Sequence, residues 1–200
     1  MITIPLARMN GGLLNIALLL IVMSAGARAA DGGAIVDGPG YAFTIAAPKG
    51  WTLISTKQLQ AAFHPADTTF EKSAVIMYVR SANKQALHVA NIAELNGTDL
   101  KGIQERNPKA VSEKSGTIKT PLGVELPMYT FSGGGYSELV AYADEGKTIT
   151  VFVVSADKAE QLQAARKAFD ELIASYVFLT DQPKAPNRSK KPAGLEPSKK

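Results

Sequence analysis

The sequence predicts an α+β fold, in which an antiparallel sheet of about six or seven strands carries two main helices. Three observations lead to this prediction. Residues 74–79 and 148–155 are β-branched runs typical of central strands. Residues 85–107 and 157–176 repeat apolar side chains at helical spacing, and turn sequences separate the other strand-like segments. Helices that pack on an antiparallel sheet form a layered domain.

Residues 1–30 have the three-part layout of a secretory signal peptide. A short polar stretch without acidic residues precedes an almost wholly apolar run at 13–27, and Ala27 and Ala29 supply the small side chains that a signal peptidase reads. We expect cleavage after Ala29 or Ala30 and a periplasmic or secreted mature chain. The alternative is a retained anchor, although this run is shorter than the roughly 20 apolar residues that span a bilayer.

Most of the formal net charge of +4 lies outside the predicted domain. Of the 22 basic residues, two lie in the leader and six in the tail, so residues 31–180 hold 14 basic and 16 acidic side chains. The domain therefore lacks the basic face that nucleic-acid binding requires. The tail at 180–200, rich in Pro and Lys, is predicted to be disordered. It could contact anionic lipid or cell wall weakly, or serve only as a solubilising end.

The chain has no cysteine and two histidines, His64 and His88. The absence of cysteine excludes disulfides, thiol catalysis, thiolate metal sites and a lipid-modified N-terminus. Two histidines are too few for most metal centres unless carboxylates complete the ligand set. We therefore predict no catalytic residues, no metal and no cofactor.

The N-terminal part is predicted to be a lead-in followed by a hairpin. Residues 31–40 are rich in Gly and predict a flexible segment. Residues 41–48 alternate between apolar and polar, which predicts a strand with one buried face. A Pro-Lys-Gly turn then leads to a second short strand at Trp51 and Leu53, and the two strands are expected to pair. Residues 56–63 are interpreted as a helical turn.

The segment 85–107 predicts the first main helix. Gly97 and Gly102 weaken this prediction, because each costs about 1 kcal/mol relative to Ala inside a helix. A break near Asn96, with Thr98 capping a second short helix, is an open alternative. The apolar stripe consists of Val89, Ile92, Ala93, Leu100 and Ile103.

Four strands and a second helix complete the domain, which is expected to end at residue 179. Pro127 predicts an edge or a bulge in the second of these strands. Asp157 and Glu160 have the spacing of a capping box at the start of the last helix. The strands are predicted at 111–120, 124–132, 136–143 and 148–155. The apolar stripe of the last helix is Leu162, Ala165, Phe169, Leu172, Ile173 and Tyr176.

The segment 41–51 (YAFTIAAPKGW) resembles the opening of the PsbP-like superfamily, in which an alternating aromatic strand leads into a turn with Pro48, Gly50 and Trp51. The predicted order of elements is also similar to that superfamily. The resemblance implies an α/β/α sandwich and a non-enzymatic, extracytoplasmic accessory protein. The metal-binding and photosystem-binding residues of the superfamily have no counterparts at matching positions here.

Several residues have a functional and a structural interpretation. Trp51 could stack on a ligand, but a core position is the more ordinary role. His64 and Asp67 could share a cation with Glu71, although loop residues of these types are usually solvated. His88 is expected to be an exposed polar residue near a helix start.

Other motifs favour structural roles. Residues 133–135 are three glycines that precede a strand, so a hairpin loop is favoured over a phosphate cradle, which would lead into a helix. The adjacent carboxylate pairs at 144–145 and 170–171 are expected to be solvated rather than an acid–base dyad. No Gly-x-Ser-x-Gly motif surrounds any serine.

Three functional hypotheses follow. The first is an exported, non-catalytic binding or accessory module, expected to be a monomer, that acts on a periplasmic or envelope protein partner. The second is a periplasmic protein that binds a small ligand or lipid between its sheet and a helix. The third is a hydrolase that uses His64 or His88 beside a carboxylate or a serine.

Overall fold

A computed structural model describes residues 28–30, 33–56 and 58–182 of the chain. The leader before residue 28 and the tail from residue 183 lie outside these described residues, as do the predictions made for them. The elements in chain order are β1 (Arg28–Ala30), β2 (Gly33–Gly38), β3 (Tyr41–Ala46), β4 (Trp51–Ile54), β5 (Ala61–Pro65), β6 (Val75–Asn83), α1 (Lys84–Leu87), α2 (Ile92–Gln104), β7 (Val111–Lys119), β8 (Glu125–Gly133), β9 (Tyr136–Asp144), β10 (Thr148–Ala156), α3 (Ala159–Ala174) and β11 (Val177–Thr180).

The strands form a large sheet of seven strands and a small sheet of four. The large sheet has the order β4-β5-β6-β10-β9-β8-β7, and the small sheet has the order β1-β2-β3-β11. All pairs are antiparallel. The predicted α+β class with a seven-stranded antiparallel sheet is confirmed, and the small sheet is an addition to it.

The two β-branched runs lie in the middle of the large sheet, as predicted. All nine residues of β10 are buried, and β10 pairs with β6 on one side and β9 on the other. One face of the large sheet packs on α3 and the small sheet, and the opposite face packs on α1 and α2. The result is a layered arrangement in which each face of the central strands is covered.

The apolar stripe of α3 is confirmed. Leu162, Ala165, Phe169, Leu172 and Ile173 are all buried against the large and small sheets. The predicted capping box at its start is wrong. The helix is capped at residue 158 without a side-chain hydrogen bond, and residue 157 instead donates its backbone N–H to the carbonyl of residue 74 at 3.1 Å.

The predicted hairpin between residues 41–48 and Trp51 is wrong. β3 lies in the small sheet between β2 and β11, whereas β4 is an edge strand of the large sheet. Contacts with α3 hold the connection: the backbone N–H of Ala46 donates to Ser175 Oγ at 3.0 Å, and that of Lys49 donates to Glu171 Oε2 at 3.1 Å. The Pro-Lys-Gly turn therefore moves the chain from one sheet to the other.

The predicted lead-in at 31–40 contains a strand. Within β2, Ala34 and Val36 are buried against the core while Ile35 is exposed, so the segment follows the period-2 pattern of a strand with one buried face. β1, which lies inside the predicted leader, pairs with β2. At the other end of the domain, β11 extends one residue past the predicted boundary at 179.

The helical turn predicted at 56–63 is also wrong, because β5 begins at Ala61. Ala61, Ala62 and Phe63 are fully buried, and β5 pairs with both β4 and β6. Burial on both faces of a sheet outweighs the weak helical preference of Gln and Ala in this segment.

The first predicted helix is divided into α1 and α2, but not at Asn96. His88 has a left-handed backbone with φ 53° and ends α1, and Asn91 caps α2. Asn91 Oδ1 accepts from the backbone N–H of Glu94 at 3.0 Å, and Glu94 Oε2 accepts from that of Ala90 at 2.8 Å. This reciprocal cap at residues 91–94 fixes the start of α2 three positions after the break.

The prediction for Pro127 is confirmed in part. β8 is an interior strand, but its pairing with β9 begins only at Met128, so Pro127 is paired on the β7 side alone. β7 also has a register shift between Lys114 and Gly116, opposite this region.

Among the described helices, none combines the length and the apolar character needed to cross a bilayer.

Replacing Phe169 with Ala should destabilise the domain strongly. Its ring is fully buried between α3 and the sheets, and truncating a buried Phe costs about 3–5 kcal/mol through lost burial and the cavity that remains. Urea unfolding monitored by circular dichroism measures this loss. Lys167→Ala, on the exposed side of the same helix, is the control and should change the free energy of unfolding by less than about 0.5 kcal/mol. Equal effects of the two substitutions would contradict the packing of α3.

Candidate functional site

Trp51 occupies a structural position. It lies on β4, is half-buried, and packs against the core between the large sheet and α3. Its register partner on β5 is Pro65. This placement agrees with the core interpretation of the only tryptophan in the chain.

The candidate cation ligands do not form a site. His64 is buried on β5, and its Nδ1 lies 2.9 Å from the backbone oxygen of Pro65. Asp67 and Glu71 are exposed in the loop that follows. Within the described part of the chain, no three His, Asp or Glu side chains are close enough together to hold a metal ion.

His88 ends α1 rather than beginning a helix, and it is exposed as predicted. With Lys84, Glu94 and neighbouring residues it lines a shallow surface depression of about 430 Å³. The two charged neighbours have other partners: Lys84 Nζ contacts Asp144 at 2.7 Å, and the Glu94 carboxylate caps α2. The hydrolase hypothesis places a carboxylate or a serine beside this histidine; no serine lines the depression, and the carboxylate of Glu94 accepts from the backbone N–H of Ala90.

The glycine cluster at 133–135 is the turn between β8 and β9, as the hairpin interpretation predicted. Asn107 Nδ2 donates to the backbone oxygen of Gly133 at 2.5 Å. All three glycines have positive φ, which side-chain-bearing residues rarely adopt. The loop leads into a strand and not a helix, so it lacks the geometry of a phosphate cradle.

The adjacent carboxylates point to separate partners. In the first pair, Asp144 contacts Lys84 and Glu145 accepts from Tyr176. In the second pair, the Asp170 carboxylate contacts Arg166 at 2.7 Å, and Glu171 accepts from the backbone of residue 49. Neither pair is arranged as an acid–base dyad.

A cluster of hydrogen-bonded polar side chains lies where α2 meets the large sheet. Asp99 on α2 contacts two groups from the sheet: Arg80 on β6 at 2.5 Å and the Tyr142 hydroxyl on β9, which donates at 3.1 Å. Asn96, one turn earlier on α2, donates to the same hydroxyl at 3.4 Å and accepts from Ser112 on β7 at 3.1 Å. We call these five residues the α2 anchor.

Tyr142 is the centre of the α2 anchor. Its side chain is fully buried, and the ring of Tyr129 packs against it edge to face with a centroid distance of 5.7 Å. Burial, followed by the negative charge of Asp99, raises the pKa of Tyr142 far above its ordinary value of 10.0. The phenol therefore stays protonated and acts as a hydrogen-bond donor to Asp99.

The α2 anchor is suited to holding α2 on the sheet rather than to catalysis. Each oxygen of the Asp99 carboxylate already has a partner: Oδ1 contacts Arg80 and Oδ2 accepts from the Tyr142 hydroxyl. Sequence reasoning missed this cluster. The available signal was that Asn96 and Asp99 fall one turn apart on a helix, on the flank of its apolar stripe.

A second network joins the segment after α3 to β10 and to the turn that precedes β10. The Tyr176 hydroxyl, just after α3, contacts Glu145 Oε1 at 2.8 Å and Thr150 Oγ1 at 3.1 Å. Burial raises the pKa of Glu145, with a smaller contribution in the same direction from Asp144, although the hydrogen bond from Tyr176 opposes the shift. The structure thus favours the neutral form of this carboxyl.

Exposed apolar side chains gather on the outer face of the small sheet. Ile35 on β2 and Val177 on β11 are 43% and 40% exposed, and both are register partners of Thr44 on β3. Leu179 on β11 is 50% exposed. We call these four residues the outer face. The other large exposed apolar residues, Val111, Leu122 and Val124, lie on β7 or in the turn after it, at the far edge of the large sheet.

The chain is similar to several solved structures. The solution structure of the cyanobacterial PsbP protein CyanoP from Synechocystis sp. PCC 6803 has 13% identity, covers 79% of this chain and 99% of that chain, and gives a TM-score of 0.46. LpqN, a Mycobacterium tuberculosis protein involved in cell envelope biogenesis, has 9% identity, coverage of 73% and 90%, and a TM-score of 0.43. A Bacteroides thetaiotaomicron VPI-5482 structure has 16% identity, coverage of 72% and 47%, and a TM-score of 0.37.

One of these solved structures is a PsbP protein, and residues 41–51 resemble the opening of the PsbP-like superfamily. No family model matches the chain, and no curated protein matches it.

Replacing Tyr142 with Phe should destabilise the domain by about 1–3 kcal/mol, because the half-buried side chains of Asp99 and Asn96 each lose a hydrogen-bond partner. Chemical denaturation of the purified protein measures the change. Tyr129→Phe is the matched control: it removes a hydroxyl from the neighbouring ring, which takes no part in the α2 anchor, and should have a smaller effect. If the two substitutions were equivalent, the α2 anchor would not be a stabilising network.

Stability should fall as the pH rises through the titration of Glu145. The folded state binds this proton more tightly than the unfolded state, so the stabilising contribution is complete below the ordinary pKa of 4.5 and is lost as the pH rises through the folded pKa. Thermal melting from pH 4 upward should show this decline in the natural chain and a weaker one in Glu145→Gln. Glu160→Gln, at an exposed carboxyl on α3, should leave the decline in place; if it abolished the decline, the assignment to Glu145 would be wrong.

Proposed function

We propose that the chain is an exported, non-catalytic accessory module that acts by docking a protein partner of the periplasm or cell envelope. The observation that carries this proposal is the outer face, where Ile35, Val177 and Leu179 leave apolar surface exposed on one small sheet. The leader layout at 1–30 supports the compartment.

The exposed apolar residues of the outer face are contiguous. A single exposed apolar side chain is normal on a soluble domain, but apolar residues aligned across neighbouring strands form a continuous patch, and such patches mark interaction sites. Ile35 and Val177 flank Thr44 on successive strands, so their side chains lie on one surface with no charged residue between them. A partner that covers Ile35, Val177 and Leu179 removes the apolar surface of all three side chains from water, which stabilises the complex.

The titratable side chains that could take part in catalysis are engaged in contacts within the domain, which also supports a binding role. The acidic and basic groups of the α2 anchor neutralise one another, and His64 contacts a backbone oxygen. Phe152, Phe169 and Leu172 are fully buried where α3 meets the large sheet, so side chains fill the layer in which a small ligand or lipid would have to lie. The docking hypothesis needs neither a reactive group nor a cavity.

Photocrosslinking in the native cells tests this proposal. A benzoylphenylalanine at Ile35 or Val177 should give an adduct with one specific protein, and the processed chain should begin at Ala30 or Asp31. The same group at Leu122, which is 75% exposed at the turn between β7 and β8, is the control and should give none. A chain that crosslinks at neither small-sheet position, or equally at Leu122, would count against docking through this sheet.

A further inference from the structure

The edge of the small sheet carries a strand that the predicted leader supplies. β1 pairs with β2 in the antiparallel register Arg28 with Ile35, Ala29 with Ala34 and Ala30 with Gly33. Cleavage after Ala30 would remove all of β1, and cleavage after Ala29 would remove two of its three residues. In either case Ala34 and Ile35 lose the paired residues that they have in the full chain.

The other three sheet edges are poor sites for adding a strand. β7 carries exposed charges at Glu113, Lys114 and Lys119, and its register shifts before Gly116. Charges and bulges of this kind block edge-to-edge pairing. β4 and β11 are four residues long, and the pairing of β11 shifts at Leu179.

β2 has fewer of these protective features, with Asp37 as its only charged residue. It is six residues long, contains no Pro and no basic residue, and pairs with β3 in an unbroken register over its whole length. Its inner side is anchored, because Ala34 and Val36 are buried in the core. The strand is therefore a template held in place by the core, and it carries Ile35 of the outer face, with Thr44 opposite on the next strand.

We propose that removal of the leader opens the edge of β2, and that an extended segment of the protein partner then adds to this edge as an antiparallel strand in the place that β1 holds. This proposal rests on the proposed docking function and specifies how docking occurs. Main-chain hydrogen bonds supply much of the binding in this mode, and alternate side chains supply specificity.

The register defines the chemistry of the partner segment. Opposite residues in an antiparallel pair lie on the same side of a sheet, so the partner residue facing Ala34 lies against the core side and must be small or apolar. The residue facing Ile35 extends the outer face and is expected to be apolar. The residue facing Asp37, the only charged side chain of β2, is expected to be Lys or Arg. Proline is excluded wherever its nitrogen would have to donate to β2.

Crosslinking separates strand addition from docking on the outer face. Strands in a sheet lie about 4.8 Å apart, so an added strand is next to Ile35 but three strand spacings from Val177, on the opposite side of β3. Benzoylphenylalanine at Ile35 should capture the partner, and the same group at Val177, or at Val111 on the edge strand β7, should not. Asp37→Lys should reduce capture at Ile35 several-fold, with thermal melting confirming that the variant folds.

Hydrogen exchange measures independently whether the backbone amides of β2 are protected by a neighbouring strand. The amides of residues 33–35 that face β1 should exchange more slowly in the full 200-residue chain than in the processed chain, and should regain protection when the captured partner is bound. The amides of β7 should be unchanged.

The outcomes distinguish this inference from the proposed function. Capture at Val177 but not at Ile35, or equal exchange of β2 in the two forms of the chain, would overturn strand addition and leave docking through the outer face intact. Capture of a second copy of this chain at Ile35 would overturn the assignment to a different protein. Failure to capture any protein at either position would overturn both proposals.

Discussion

Complete burial of β10 is the constraint on which the rest of the structure depends. A strand buried on both faces needs a layer on each side, and the chain supplies α1 and α2 on one face and α3 with the small sheet on the other. Tyr176 joins the second set of elements: its ring packs on Phe43 of β3 at 5.4 Å and on Phe152 of β10 at 4.9 Å. The small sheet is therefore fixed to the core by its inner residues, which leaves its outer face and edges for other contacts.

The sequence predicts those parts of the fold whose burial pattern is local. Strands β6 and β10 are continuous β-branched runs, and α3 has an apolar stripe over four turns, so each could be identified from a short window. The passage of the chain from the small sheet at β3 to the large sheet at β4 could not be identified from a short window. A turn such as Pro48 to Gly50 looks the same whether the chain reverses into a hairpin or crosses to another sheet, and here the choice depends on Ser175 and Glu171, which lie more than a hundred residues later.

The α2 anchor was unpredictable for a related reason. Arg80, Asp99 and Tyr142 come from three elements whose adjacency depends on the order of strands in the large sheet, and no spacing along the chain expresses that order. The break between α1 and α2 is different. Asn91 and Glu94 have the spacing of a capping box, so the start of α2 was visible in the sequence, although the left-handed residue His88 before it carries no compositional signal.

The placement of β1 gives the proposed leader a structural consequence beyond its role as an address. An unpaired edge with few charges invites unwanted strand pairing, and β2, whose one charged residue is Asp37, has the fewest features that prevent it. In the full chain residues 28–30 pair with residues 33–35, and the proposed cleavage would free this stretch in the compartment to which the proposed leader directs the chain. The timing in this proposal follows from covalent connectivity, because the residues that cover the edge belong to the segment that a signal peptidase would remove. The proposed binding module would in this way be kept closed until it reaches the place where its partner is found.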